Sequence, residues 1–305
     1  MIAIGRSTIL YNSIQYLVEK GQKFDAIVSS EGYPEYKHGL EDFKILAQSI
    51  NVPFYNSNHL LDEDILNVLQ NQDLRIGISS NWKFFIPEKI IRIFNYNLLN
   101  FHLGNLPDYK GNATANWSII NGEDHIYANI HRMVLSLDSG AVICREYIPI
   151  NKNTYVGDVI EEAEKIAPLL FEKAINNLKN DPSYYEIEGS EQGSRCFPRN
   201  PEDGKITWNQ PVTLIDRLVR SASEPYPGAY CNYKGEKMII WRGSPSNLDR
   251  SYYAIPGSIL EINKDQGFIK VASNDGVYKI ERVEYSGYKG APSKIVKSIR
   301  DRLTD

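Results

Sequence analysis

The sequence predicts an α/β fold with a mostly parallel sheet in its N-terminal part and a small, mainly β domain after it. Three observations carry this. Short apolar runs alternate with helix-spaced stretches over the first half, a long amphipathic stretch follows, and hairpin-like runs broken by Xaa-Gly turns fill the last third.

Taken in order, "IAIG" reads as a buried strand, "ILYNSIQYLVEKG" as a helix, "FDAIVSS" as a strand, "EDFKILAQSIN" as a helix and "VPFYN" as a strand. A second round follows. "LDEDILNVLQNQ" has helical spacing, "LRIGISS" and "NLLNFH" read as buried strands, and "IYANIHRMVL" alternates as a further strand. From Thr154 to Asn180, the residues Val156, Ile160, Ile166, Leu169, Leu170, Ala174 and Leu178 keep roughly helical spacing, and "NDPSYY" stops the helix. Residues 1–182 are therefore expected to form a Rossmann-like first domain. Residues 183–204, rich in Gly, Ser, Pro and charge, are expected to be a linker. In 205–305 a helix, "PVTLIDRLVRSAS", precedes "PYPG" and the runs "AYCNYKGEKMIIW", "SILEINKDQGFIKVA" and "VYKIERVEY", which suit a small OB-like barrel.

Bulk properties narrow the function. With 42% apolar and 24% charged residues, the 305-residue chain has the composition of a soluble globular protein. A net charge of -4, from 34 Lys and Arg against 38 Asp and Glu, offers no global positive field for nucleic acid or an anionic membrane. The start, "MIAIGRSTILYNSIQ", lacks the features of a signal peptide, and no long apolar run suits a membrane span, so a cytoplasmic protein is expected. Cys144, Cys196 and Cys231 are far apart and lack metal-ligand spacing, so they read as reduced thiols, and no metal is expected. His125 and His131 have no acidic or Cys partner at ligand spacing and are assigned to no metal either.

The stretch "NFHLGNLPDYKGN" at 100–112 is the most informative. Alternation in "NLLNFH" puts Leu98, Asn100 and His102 on one strand face, and the loop that follows starts at a strand's carboxyl end, where ligands bind in open α/β sheets. Further on, "SLDSG" ends the alternating strand and places Asp138 on a loop expected at the same sheet end. Asn, His and Asp together suit transfer of an acyl or formyl group to an amine. The His takes the amine proton, the Asn amide stabilises the oxyanion, and the carboxylate holds the His. No GxSxG elbow or Cys beside a His supports covalent acyl-enzyme chemistry.

These motifs resemble a known family. "NFH", "LPDYKG" and "LDSG" look like the signature of enzymes that transfer formyl from 10-formyltetrahydrofolate, and "PEDGKITW" and "PYPGAY" are similar to their second domain in two branches. Those branches are methionyl-tRNA formyltransferases and nucleotide-sugar N-formyltransferases. The resemblance implies that His102 is the base or proton shuttle, that Asn100 steadies the oxyanion, and that Asp138 orients His102. It also implies that the pterin of the folate lies against Lys83, Phe84, Phe85 and Ile86, with the Asp138 loop closing over it. The chain departs from the pattern at Gly104 and Asn105, where many relatives have Ser and Leu.

The acceptor amine is read from charge. The family's tRNA-specific members carry a basic loop after the second strand, whereas "SSEGYPEYKHGLED" here has one Lys against Glu31, Glu35, Glu41 and Asp42. Residues 201–305 carry 16 Lys and Arg against 13 Asp and Glu, too small a surplus for an RNA track. A nucleotide-linked amino sugar fits better, with Arg6, Arg199, Arg220 and Tyr226 as candidate contacts. Formylated sugars of this kind serve surface-glycan assembly such as O-antigen. The alternatives are methionyl-tRNA formylation, hydrolysis of the formyl-folate, and a non-catalytic nucleotide-sugar or RNA binding module. The sugar-formylating relatives are often dimers, which leaves a homodimer open.

Overall fold

A computed structural model describes residues 1–32, 34–71, 76–248 and 251–305. The chain forms two compact units. Unit 1 comprises Met1–Thr114, His125–Pro149 and Ile160–Phe197, and unit 2 comprises Ala115–Asp124, Ile150–Val159 and Pro198–Asp305.

The expected alternation runs through β1 (Ile2–Gly5), α1 (Thr8–Glu19), β2 (Ala26–Ser29), α2 (Leu40–Ser49), β3 (Phe54–Asn56), α3 (Glu63–Asn71) and β4 (Gly77–Ser80). It continues through α4 (Glu88–Ile93), β5 (Leu98–Leu103), β6 (Lys110–Gly111), α5 (Thr114–Asn121), β7 (His125–Arg132), β8 (Val142–Pro149), α6 (Val156–Asn180) and β9 (Arg195–Cys196). Gln72 of "LDEDILNVLQNQ", Leu74 and Arg75 of "LRIGISS", and Tyr33 of the acidic loop lie outside the described residues.

Unit 1 is built on a seven-stranded sheet in the order β3-β2-β1-β4-β5-β7-β8. The pairs from β3 to β5 are parallel, whereas β5–β7 and β7–β8 are antiparallel. Strands β1, β2 and β4 are buried along their whole length, as expected of central parallel strands covered on both faces. Helix α1 starts at Ser7, whose hydroxyl accepts from the Leu10 N–H at 3.2 Å, and buries Leu10, Ile14 and Leu17. The edge strand β8 went unread in the sequence because "VICREYIP" mixes charge into its alternation, exposing Glu146 and Tyr147 while burying Cys144 and Ile148.

Residues 183–204, expected as a linker, are built into the two units. Ile187 bridges to Val142, and Arg195 and Cys196 of β9 pair in parallel with Lys110 and Gly111 of β6; from Pro198 onward the chain belongs to unit 2.

Unit 2 holds α7 (Val212–Ala222) and the strands β10 (Ala229–Tyr233), β11 (Glu236–Ser246), β12 (Ile259–Ile262), β13 (Ile269–Ala272), β14 (Val277–Tyr285), β15 (Tyr288–Gly290) and β16 (Leu303–Thr304). They form an antiparallel half-barrel in the order β12-β13-β14-β11-β10-β16, with β15 paired to β14. A bridge between Ser258 and Arg302 links its two ends. The expected Lys-Gly turn joins β10 to β11, with Lys234 at φ 51° and Gly235 at φ 84°, the left-handed pair of a tight hairpin. Its core contains Trp208, Met238, Ile240, Val271, Tyr278 and Val283, together with Tyr155, whose hydroxyl donates to the Gly243 carbonyl at 3.0 Å.

Candidate active site

Strand register assembles the site. Asn100 of β5 lies opposite His131 of β7, and His102 opposite Asn129, so these four side chains share one face of the sheet. The Asp138 loop joins β7 to β8 and brings its carboxylate to that face at φ 46°, a left-handed conformation that Asp tolerates.

Asp138 is the hub. Its Oδ2 accepts from the Gly111 N–H at 2.8 Å and lies 3.6 Å from His102 Nδ1, while its Oδ1 lies 3.4 Å from His131 Nε2. His131 Nε2 is also 3.1 Å from Asn100 Nδ2, and its Nδ1 is 2.9 Å from the Arg132 carbonyl, to which it donates. His131 thus touches both Asn100 and Asp138. Sequence reasoning set it aside because no acidic or Cys residue stands at ligand spacing from it, and its place opposite Asn100 shows only once β5 and β7 are paired antiparallel.

His102 is 7% exposed. Its Nε2 is 2.8 Å from the Tyr109 carbonyl and therefore carries the hydrogen, which leaves Nδ1, on the Asp138 side, to take a proton. Burial pushes the imidazole below its ordinary value; Asp138 and the Tyr109 carbonyl pull upward, and His131 pushes further down. The ring is thus held neutral at neutral pH. Burial alone would lift the Asp138 carboxyl, but His102, the His131 contact and the Gly111 N–H outweigh it and hold the group well below the usual carboxylate range.

Two loop residues shape this arrangement. Lys110 is buried, with its ammonium donating to Ser139 Oγ at 2.9 Å and the Ser190 carbonyl at 2.6 Å, which ties the "LPDYKG" loop to the Asp138 loop. Gly104 clears space: a Cβ there would lie 2.5 Å from His102 Nε2 and 2.5 Å from the Tyr109 carbonyl oxygen. The Gly104→Ala substitution is expected to break the His102–Tyr109 bond. Nitrogen NMR of His102 should then show loss of the Nε2–H tautomer, and an unchanged spectrum would refute the assignment.

The family model described as formyl transferase matches residues 1–175, and the one described as formyl transferase, C-terminal domain, matches 199–297. The chain belongs to the formyl transferase family. It is an enzyme of that class, whose formyl donor is formyl-tetrahydrofolate. It is 25% identical over 293 residues to a methionyl-tRNA formyltransferase of Alkaliphilus oremlandii, covering 95% of this chain and 93% of that one. Among solved structures, an N-formyltransferase from Helicobacter canadensis, in complex with folinic acid and dTDP-3-aminofucose, has a TM-score of 0.64 at 18% identity, covering 92% of this chain and 97% of that one. HypX from Aquifex aeolicus, in complex with tetrahydrofolic acid, has a TM-score of 0.62 at 14% identity over 98% of this chain. This chain spans 47% of HypX.

In this formyltransferase the other candidate residues fall into two groups. Lys83 to Ile86 leave the end of β4, whose Ser79 and Ser80 pair with Asn100 and Phe101, so the segment departs from the sheet end that carries His102. Ile86 is core, Phe84 is half-buried against Trp82, and Phe85 is 71% exposed. Arg6 follows β1 at the same end but is buried, donating to the Glu31 and Asn81 carbonyls, so it fastens loops rather than facing solvent. The remaining three lie in unit 2. Arg220 is buried in an ion pair with Asp216 at 2.8 Å and donates to the Thr154 carbonyl at 2.9 Å; these partners, not a substrate, account for its position. Arg199 lies over the Trp117 ring and donates to the Asp203 carbonyl, and Tyr226 sits in the turn whose N–H bonds Ser223.

Among the described residues no group of three or more His, Cys, Asp and Glu could hold a metal ion, and no helix is long and apolar enough to cross a membrane. The three cysteines are buried and unbridged.

Proposed function

We propose that this enzyme moves a formyl group from 10-formyltetrahydrofolate to the free amine of a nucleotide-linked amino-deoxy sugar, in the cytoplasm, for surface-glycan assembly. The chemistry would lie in residues 1–182 and the small β-rich part in 205–305, with 183–204 contributing to both units. The observation that carries the acceptor assignment is the loop after β2. The stretch 29–42 carries Glu31, Glu35, Glu41 and Asp42, the last two in the first turn of α2, against the single Lys37, whose ammonium is paired with Glu164 at 2.5 Å, so it offers an RNA backbone little positive charge.

The residues present fit a reduced pterin. Trp82 has a buried indole N–H with no partner among the described residues, beside the Lys83 to Ile86 segment that would hold the heterocycle. The bound folate supplies the formyl carbon. Around it, Asn100 places an amide N–H where negative charge gathers on the formyl oxygen. His102, neutral through burial, would accept the amine's proton at Nδ1, with Asp138 at 3.6 Å stabilising the imidazolium, and would hand that proton to the folate's N10 as the bond from N10 to the formyl carbon breaks, which restores the neutral ring.

Methionyl-tRNA formylation is the second reading, supported by the name of the sequence relative. Tetrahydrofolate release is to be followed with 10-formyltetrahydrofolate and a panel of dTDP-, UDP- and GDP-linked amino sugars, with methionyl-tRNA and a no-acceptor control alongside. Turnover with one sugar is expected. Turnover with tRNA alone would overturn the charge argument, and release without acceptor would mark a hydrolase.

A further inference from the structure

The face that carries His102 does not end at Asn129. Across the β7–β8 ladder Asn129 lies opposite Arg145, and Tyr127 lies opposite Tyr147, so both pairs stand on the catalytic face. Two strand spacings of about 4.8 Å put the Arg145 Cα roughly 10 Å from that of His102, and the tyrosine pair lies one further side-chain repeat, about 7 Å, along the strands.

These side chains form an ordered group. His125 stacks on Tyr147 with centroids 5.2 Å apart and planes 19° apart, and Tyr127 meets both rings edge-on at 5.2 and 5.9 Å. The Arg145 guanidinium lies 4.0 Å over the Tyr127 ring. Tyr147 is nevertheless 49% exposed, so packing alone leaves half of a large ring in water. Arg145 is half-buried, and its guanidinium has no hydrogen-bond acceptor or carboxylate partner among the described residues. With the Tyr127 ring and solvent as its partners, the guanidinium keeps N–H donors available for an anion.

We propose that Arg145, Tyr127 and Tyr147 form the nucleotide subsite of the acceptor, with Arg145 taking the diphosphate and the Tyr127–Tyr147–His125 platform taking the base. Arg145 lies across the strands from His102, and Tyr147 lies one side-chain repeat beyond Arg145 on β8, so the face can follow the groups of the ligand. An amine placed at His102 is followed by the rest of its hexose, then by two phosphates at the level of Arg145, then by the ribose and base over the tyrosines. Planar guanidinium suits phosphate bidentately, and the exposed Tyr147 ring, backed by His125 and Tyr127, can stack any base, so the group suits a nucleoside diphosphate as a class. This subsite rests on the nucleotide-sugar reading.

The test is calorimetric titration of the full-length enzyme with free dTDP, UDP and GDP, for the parent, Tyr147→Ala and Arg145→Gln, paired with kinetics on the amino sugar that turns over. One diphosphate is expected to bind the parent, with each substitution weakening it about tenfold or more. The KM for the nucleotide sugar should rise in step while kcat stays within a few-fold, a split that general loss of folding would not produce. If the parent binds a diphosphate and both variants bind it equally well, the subsite is wrong and the nucleotide-sugar reading survives. If the parent binds none of the three and formylates only methionyl-tRNA, that reading falls and the subsite with it.

Discussion

His102→Ala is expected to lower kcat for formyl transfer by about 10²–10⁴-fold, the usual worth of a positioned general base. The neutral imidazole is a buried proton acceptor matched to neutral pH, whereas Asp138 is held far too acidic to take a proton from an amine. KM should change little, because the ring donates to Tyr109 rather than facing a long stretch of ligand. The substitution also removes the His102–Tyr109 hydrogen bond, at a cost of about 0.5–1.5 kcal/mol. Thermal unfolding must therefore accompany the kinetics. A folded His102→Ala enzyme within a few-fold of the parent would rule out general-base catalysis by this residue.

Asp138→Asn should be nearly as damaging, at about 10²-fold or more, and it should also move the pH profile. The carboxylate raises the His102 pKa against the stronger effect of burial, so removing its charge lets that pKa fall further. The acidic limb of kcat/KM in the parent should lie below about pH 6.5, the ordinary histidine value, and in the variant it should lie lower still. A limb that moves upward would contradict the assignment. Stability has its own signature. Asp138 is depressed in the folded state, so its contribution is present above the ordinary carboxylate value near 4 and fades as pH falls through the folded pKa. His102, also depressed, contributes fully above about pH 6.5 and progressively less below it, because the unfolded chain takes up its proton first.

The parts of the fold that were legible in the sequence are those with local cause. Strands β1, β2, β4 and β5 are apolar runs, α1 and α6 have helical spacing, and the Lys234–Gly235 turn has the residues its backbone demands. Asn100 and His102 were legible as a pair because β5 alternates, and Asp138 because a Gly-containing loop follows an alternating strand. His131 was hidden, since its role comes from antiparallel register between strands about 30 residues apart. Lys110 was hidden for a similar reason: its partners Ser139 and Ser190 lie far along the chain. Arg220, offered from sequence as a ligand contact, is held in the fold by Asp216 at its Nε and by the Thr154 carbonyl at its Nη1, partners that its local sequence does not announce.

The threading of the chain bears on how the gene can be divided. Unit 2 draws Ala115–Asp124 and Ile150–Val159 from the N-terminal half, so a break after Phe197 does not yield two self-sufficient polypeptides. A C-terminal fragment would lack Tyr155, whose hydroxyl serves Gly243 on β11, and Asn116, whose amide donates to the Ser221 carbonyl at 2.7 Å. An N-terminal fragment would carry the same two segments without the rest of the unit they belong to. Recombination at that point would therefore exchange incomplete halves, and any successful chimera would have to inherit the two interior segments together with the C-terminal third.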